Sequence, residues 1–126
     1  MKKKILVIDD QEDLLELTRR LLHSSGYDVL TLASGTKALD LIKKELPHLV
    51  LMDMLMPDKD GGEICQEMKS DAALHHIPVI LTTGQMMDKS EYSDEQSIGA
   101  NDYLMKPFEI DDLISKIENL LTASKK

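Results

Sequence analysis

The 126-residue chain has the length of one ordinary domain, and its 42% hydrophobic and 30% charged residues are a globular balance with no uninterrupted apolar run of membrane-spanning length. A formal net charge of −8, no Lys/Arg cluster away from the termini and only 3% aromatic residues argue against direct nucleic-acid binding, which needs cations against phosphates and rings for bases to stack on. Cys65 is the one cysteine, which excludes an internal disulfide and suits a reducing compartment; the basic Met1-Lys2-Lys3-Lys4 leads into an apolar stretch broken at Asp9-Asp10, far short of a signal peptide, so a cytoplasmic location is expected.

Lys4-Ile5-Leu6-Val7-Ile8 is a short run of branched apolar residues, the composition of a strand covered on both faces, and it ends at the acidic pair Asp9-Asp10. Leu14, Leu17 and Leu21, with Leu15 and Leu22, recur at helical spacing up to Ser24-Ser25-Gly26, where the glycine predicts a stop. Tyr27 to Leu32 predicts a second strand, and a helix starting at Ser34 would carry Ala38, Leu41 and Ile42. Leu49-Val50-Leu51-Met52 is a third buried strand, closed by Asp53. After Pro57 and a turn at Asp60-Gly61-Gly62, a helix with Ile64, Cys65 and Met68 on one side is expected, Cys65 serving as a small core hydrophobe. Pro78-Val79-Ile80-Leu81-Thr82 predicts the fourth strand.

Between Gln85 and Gly99 only Met86, Met87, Tyr92 and Ile98 can pack, so a short or loosely held helix is expected there, beginning near Asp94, where Ser93 and Gln96 have capping-box spacing. Asp102-Tyr103-Leu104-Met105 is the last strand, and Ile110, Leu113, Ile114, Ile117 and Leu121 form the clearest helical stripe. Strands alternating with helices at this spacing predict an α/β, doubly wound parallel sheet of five strands with helices on both faces, and ligand chemistry belongs at the carboxyl ends of those strands. The histidines have no metal-ligand spacing, and Met52, Met54 and Met56 fit packing better than copper binding.

Asp9, Asp10 and Asp53 all close strands, which in such a sheet brings three carboxylates to one edge. Two unit charges ~4 Å apart repel by about 4 kcal/mol at an effective dielectric of 20. A hard divalent cation compensates such a cluster, and Mg²⁺ binds through one or two carboxylates while keeping waters for a phosphate to replace. Strand four ends in Thr82-Thr83-Gly84 and strand five in Met105-Lys106-Pro107-Phe108, so a hydroxyl and an ammonium reach the same edge. Acids for a cation, an acceptor carboxylate, a hydroxyl and an ammonium suit transfer of a phosphoryl group to Asp53, with Lys106 and Thr83 bonding its oxygens. Gly84 leaves room for that group.

The motifs Val7-Ile8-Asp9-Asp10, Leu51-Met52-Asp53-Met54-Leu55-Met56-Pro57 with Asp60-Gly61, Pro78-Val79-Ile80 leading to Thr83-Gly84, and Gly99-Ala100-Asn101-Asp102-Tyr103-Leu104-Met105-Lys106-Pro107-Phe108 are each weak alone. In this order the chain closely resembles the response-regulator receiver family of two-component signalling, from Lys4 to about Leu121. The resemblance implies a flavodoxin-like sheet of strand order 2-1-3-4-5 and a single receiver domain over residues 1–126. It implies a stoichiometric phosphoacceptor, not an enzyme that turns over, which assists its own phosphorylation and dephosphorylation. Asp53 would take phosphoryl from the phosphohistidine of a histidine kinase or histidine phosphotransferase. Asp10, Asp53 and the Leu55 carbonyl would bind Mg²⁺, and Asp9 would assist. Thr83 and Tyr103 would form the switch that alters the surface of helix four, strand five and helix five for a downstream protein partner, with no direct nucleic-acid or membrane contact, as a monomer or a phosphorylation-dependent dimer. Family spacing from Pro78 selects Thr83 over Thr82, which strand alternation turns toward a helix layer. Similar receivers hold the lysine with a cis Lys-Pro bond, expected here at Lys106-Pro107. Leu55 and Gln85 occupy positions that govern access of water to the acyl phosphate, and an apolar Leu55 predicts slow autodephosphorylation.

Other classes fit less well. An aspartate-nucleophile phosphatase needs a second acid two residues after Asp53, where this chain has Leu55. A flavin carrier of similar topology wants a Ser/Thr/Gly-rich phosphate loop after strand one, where the acids of Asp9-Asp10-Gln11-Glu12-Asp13 would repel phosphate. A phosphorylation-independent receiver-like interaction module is the alternative, opposed by the intact acids, Thr83 and Lys106. The charged Ser124-Lys125-Lys126 end directly after the last helix favours a stand-alone regulator.

Overall fold

The computed structural model describes residues 2–84 and 99–123. Five parallel strands, β1 (Lys4–Ile8), β2 (Asp28–Leu32), β3 (Leu49–Asp53), β4 (Val79–Thr83) and β5 (Asp102–Met105), form one sheet in the order β2-β1-β3-β4-β5. Helices α1 (Glu12–Ser24), α2 (Ala38–Glu45) and α3 (Gly61–Lys69) and a C-terminal helix (Ile110–Ala123) complete the described elements. The expected helix near Asp94 and Gln85 lie outside the described residues. Among those residues no helix is long and apolar enough to cross a membrane.

The apolar runs become the inner strands because only there is a strand covered on both faces: every residue of β3 and β4 is buried, whereas β2 and β5 at the margins are half-exposed. Alternate residues feed two separate cores. Leu6, Ile8, Val50, Met52, Val79 and Leu81 pack under α2 and α3, against Ala38, Ile42, Ile64 and Met68. Ile5, Val7, Leu49, Leu51, Ile80 and Leu104 pack under α1 and the C-terminal helix, against Leu15, Leu22, Leu113 and Ile117. Cys65 is fully buried in the first core, and burial pushes its thiol up to about 11, which leaves a packing residue. Gly26 takes a φ of 101° one residue past the α1 C-cap, the left-handed geometry that ends the helix.

Two helix starts differ from the sequence reading, and β2 and β4 each begin one residue later than expected. The second helix starts at Ala38, not at Ser34, because Ser34, Gly35 and Thr36 donate their hydrogen bonds to the Asp58 carboxylate in a distant loop. The glycines read as a turn, Gly61 and Gly62, form the first turn of α3.

Gly61 stands against the end of β3. Its N–H donates to the Met54 carbonyl at 2.8 Å, and a Cβ there would collide with the Asp53 carbonyl oxygen and sit 3.0 Å from its carbon. Backbone cannot yield as a flexible side chain does. Gly61→Ala is expected to cost about 1–3 kcal/mol, the usual penalty of overpacking, seen as a lower midpoint in urea unfolding followed by far-UV circular dichroism.

Candidate functional site

The strand order reverses between β1 and β3, and the acids sit at that reversal. Ile8 pairs with Met52, so the residues that follow, Asp9 and Asp53, leave the sheet side by side. The backbone is tied on both flanks: the Asp9 N–H donates to the Leu32 carbonyl at 3.1 Å and the Met54 N–H to the Thr82 carbonyl at 2.8 Å. Asp9 also accepts the Gln11 N–H on Oδ1 at 2.9 Å, turning the chain into α1. Asp9 and Asp53 are buried, and Asp10 is exposed.

The ammonium comes from the end of the edge strand β5, two strands from β3. After β5 the Lys106 N–H donates to the Thr83 carbonyl at 2.7 Å, and the Lys106-Pro107 bond is cis, as expected. From there Nζ donates to Asp9 Oδ2 at 2.7 Å and to Asp53 Oδ2 at 3.2 Å. Burial pulls the Lys106 ammonium down, but the hydrogen bond and charge of Asp9, joined by Asp53, outweigh it and hold Lys106 above its ordinary value. Asp53 moves the opposite way from most paired acids. Burial raises its carboxyl and the negative charge of Asp9 adds to that, together exceeding the opposing pull of Lys106 and a weak 3.4 Å bond from the Leu55 N–H.

One oxygen each from Asp9, Asp10 and Asp53 lie within 4.8 Å of one another. Neighbouring oxygens on an octahedral Mg²⁺ are about 3 Å apart and opposite ones about 4 Å, so small side-chain shifts would let these carboxylates share one hard divalent cation. The donor set is all oxygen, and Asp10 opens to solvent, which suits an ion that keeps part of its water. This edge forms one end of a cavity of about 660 Å³, lined by Asp10, Asp53, Leu55 and Lys106 and continuing over apolar residues of α1 such as Leu14 and Leu17.

Asp9, Asp10, Asp53 and Lys106 are thus brought together from three strands. Leu55, two residues after Asp53, has its side chain half-exposed at the cavity. Thr83, the buried last residue of β4, lies across from Met105. By alternation Thr83 lines up with Val79 and Leu81, on the face where Tyr103 packs against the core, whereas Thr82 lines up with Ile80 toward the α1 layer. Sequence reasoning missed Asp58, whose partners are more than 20 residues away, and the steric demand at Gly61. No local pattern marks the first; for the second, a glycine at the start of a helical pattern was the available signal.

Residues 5–118 match the sequence pattern of the response regulator receiver domain, and the chain belongs to this family. It is 36% identical to the polar-differentiation response regulator DivK of Brucella ovis over 121 residues, covering 96% of this chain and 98% of that one. It is 33% identical to the alkaline phosphatase synthesis transcriptional regulatory protein PhoP of Bacillus subtilis over 125 residues, 99% of this chain and 51% of that protein. The chain spans about half the length of the transcriptional regulators it matches. Among solved structures it superposes on a CheY-like receiver domain protein of Methanospirillum hungatei with a TM-score of 0.90 at 29% identity, covering 99% and 98% of the two chains. A receiver domain protein of Clostridium thermocellum gives 0.88 at 34% identity, covering 98% and 97%. The chain is therefore a phosphoacceptor receiver domain of the two-component and phosphorelay type.

The raised Asp53 carboxyl has a consequence for stability. The native state holds this proton more tightly than the unfolded chain, so the contribution of Asp53 is favourable below the ordinary carboxylate value and is lost as pH rises through the raised one. At neutral pH without divalent cation, Asp53→Asn should unfold at higher urea than wild type, and the advantage should shrink as the pH falls through the carboxylate range. Saturating Mg²⁺ should favour wild type by stabilising the state that binds it.

Proposed function

We propose that Asp53 is the residue that accepts the phosphoryl group, and the observation that carries this reading is the Lys106 ammonium spanning Asp9 and Asp53 beside the three clustered carboxylates. The donor is the phosphohistidine of a histidine kinase or histidine phosphotransferase. An Asp53 oxygen forms the new bond to phosphorus as the nitrogen–phosphorus bond of the donor breaks and the imidazole departs. Asp10, Asp53 and the Leu55 carbonyl, with Asp9 assisting, would hold Mg²⁺. When bound, the cation supplies positive charge against the phosphoryl oxygens.

Lys106 is held ready by Asp9 and can bond a phosphoryl oxygen as negative charge builds there, while the Thr83 hydroxyl bonds another. Gly84 leaves space beside Thr83, where a Cβ would meet no atom of the described residues within 4 Å. Drawing Thr83 inward loosens the packing behind it on the face shared with Tyr103, and Tyr103 follows. The outcome is a shift between two conformations that changes the surface around β5 and the C-terminal helix for a downstream protein in the cytoplasm.

The test is intact mass after incubation with acetyl phosphate and Mg²⁺. Wild type should gain one phosphoryl group, and Asp53→Asn or a chelator should abolish the gain. Lys106→Ala should slow the reaction by about a hundredfold, as removal of one charge-stabilising donor does elsewhere. A folded sample that gains nothing under any condition would favour a phosphorylation-independent interaction module. The half-exposed, apolar Leu55 gives an attacking water nothing to bond to. The aspartyl phosphate should therefore decay slowly and Leu55→Asn should speed it; a variant losing phosphate no faster than wild type refutes this role.

A further inference from the structure

We propose that Asp58 is a positioning residue for the cation site, clamping the tip of the loop between β3 and α3 onto the turn between β2 and α2 and so fixing where the Leu55 carbonyl lies. The proposal rests on the reading of that carbonyl as a cation ligand.

The loop leaves the sheet at Asp53 and rejoins α3 at Gly61. Its base is closed by the Gly61 N–H to Met54 carbonyl bond at 2.8 Å. Leu55, inside this loop, is anchored weakly: its N–H lies 3.4 Å from Asp53 Oδ1, and its side chain is half in solvent. The loop, more than the Leu55 side chain, must therefore place the carbonyl. At the tip the Asp58 carboxylate accepts four hydrogen bonds from one turn. Gly35 N–H reaches Oδ1 at 3.1 Å, and Oδ2 takes the Ser34 hydroxyl at 2.9 Å, the Thr36 N–H at 3.1 Å and the Thr36 hydroxyl at 3.3 Å. Hydrogen bonds to an ionised acceptor are the stronger kind. The Thr36 N–H and the Ser34 hydroxyl, more than any other contacts, hold this carboxyl well below the usual carboxylate range, so it stays charged.

Packing reinforces the clamp. A Cβ on Gly35 would lie 2.7 Å from the Lys59 carbonyl oxygen, so turn and tip touch backbone to backbone. Lys59 in turn reaches Glu67 on α3 at 2.9 Å. Both Asp58 oxygens are engaged by the turn, so Asp58 would act on the cation through the loop it holds and not as a ligand. Groups that orient the direct ligands of a metal commonly influence affinity as strongly as this geometry requires.

The experiment is Mg²⁺ titration by calorimetry on the whole chain at near-physiological salt, with amide exchange of residues 54–61 and far-UV circular dichroism to verify the fold. Asp58→Ala should weaken Mg²⁺ by about tenfold, and the double variant Ser34→Ala/Thr36→Val, which keeps every charge, should weaken it by about threefold. Exchange at Leu55 should quicken in both. If Asp58→Ala weakens binding while the charge-neutral double variant binds like wild type, the effect is simple charge and the clamp is overturned; unchanged affinity in both overturns it equally. If wild type itself binds no Mg²⁺, the ligand reading fails and the clamp with it, an outcome distinct from the other two.

Discussion

Crowded negative charge at one edge of the sheet is the constraint on which the remaining structure depends. Asp9 and Asp53 emerge side by side from adjacent strands, both buried, with Asp10 close by, and one ammonium spans the buried pair. Removing charges from water costs several kcal/mol per ion unless partners and geometry are good, so the position of Lys106 has to be set with care. It is set by β5, two strands away from β3, and by the bond from the Lys106 N–H to Thr83. The strand order thus determines the electrostatics: without β4 and β5 beside β3, the acids would lack their counter-charge.

That arrangement stabilises the site only in part. Asp53 keeps a raised carboxyl even with Lys106 at hydrogen-bond distance, because burial and Asp9 outweigh the lysine. A site left short of positive charge is one that a divalent cation can complete, and one in which a further negative group must be matched by new contacts. Function and marginal local stability have the same origin here, the burial of acids that a purely structural edge would avoid.

The sheet also separates two tasks. Asp9, Asp53 and Lys106 follow in line from residues that pack under α1 and the C-terminal helix, while Thr83 and Tyr103 belong to the opposite face. Only at the strand ends do the two faces meet. In the proposed switch a chemical change at Asp53 would reach the other layer through Thr83, on the face where Tyr103 packs against the first core. The loops around the edge are stiffened to the same end: Gly61 closes one against β3, and Asp58 fastens its tip to the neighbouring turn.

Much of this was legible in the sequence. Short apolar runs located the strands, the stripe from Ile110 to Leu121 located the last helix, and Asp9, Asp10, Asp53 and Lys106 followed because parallel strands share one carboxyl edge. The helix expected from Ser34 was misplaced since its first residues are claimed by Asp58, a partner more than 20 positions away that propensity cannot detect. The leucines of α1 read as a single apolar stripe, yet Leu15 and Leu22 enter the core while Leu17 and Leu21 remain exposed beside the cavity. Periodicity locates an apolar face but not how much of it a neighbour covers. By itself, then, the sequence determined which residue types close each strand, because hydrophobic pattern and chain alternation are local properties. Only the tertiary structure decided which oxygens Lys106 bonds, that Asp53 is raised instead of lowered, and that Gly61 and Asp58 hold the loop, because distances and burial arise only when segments far apart in the chain are packed together.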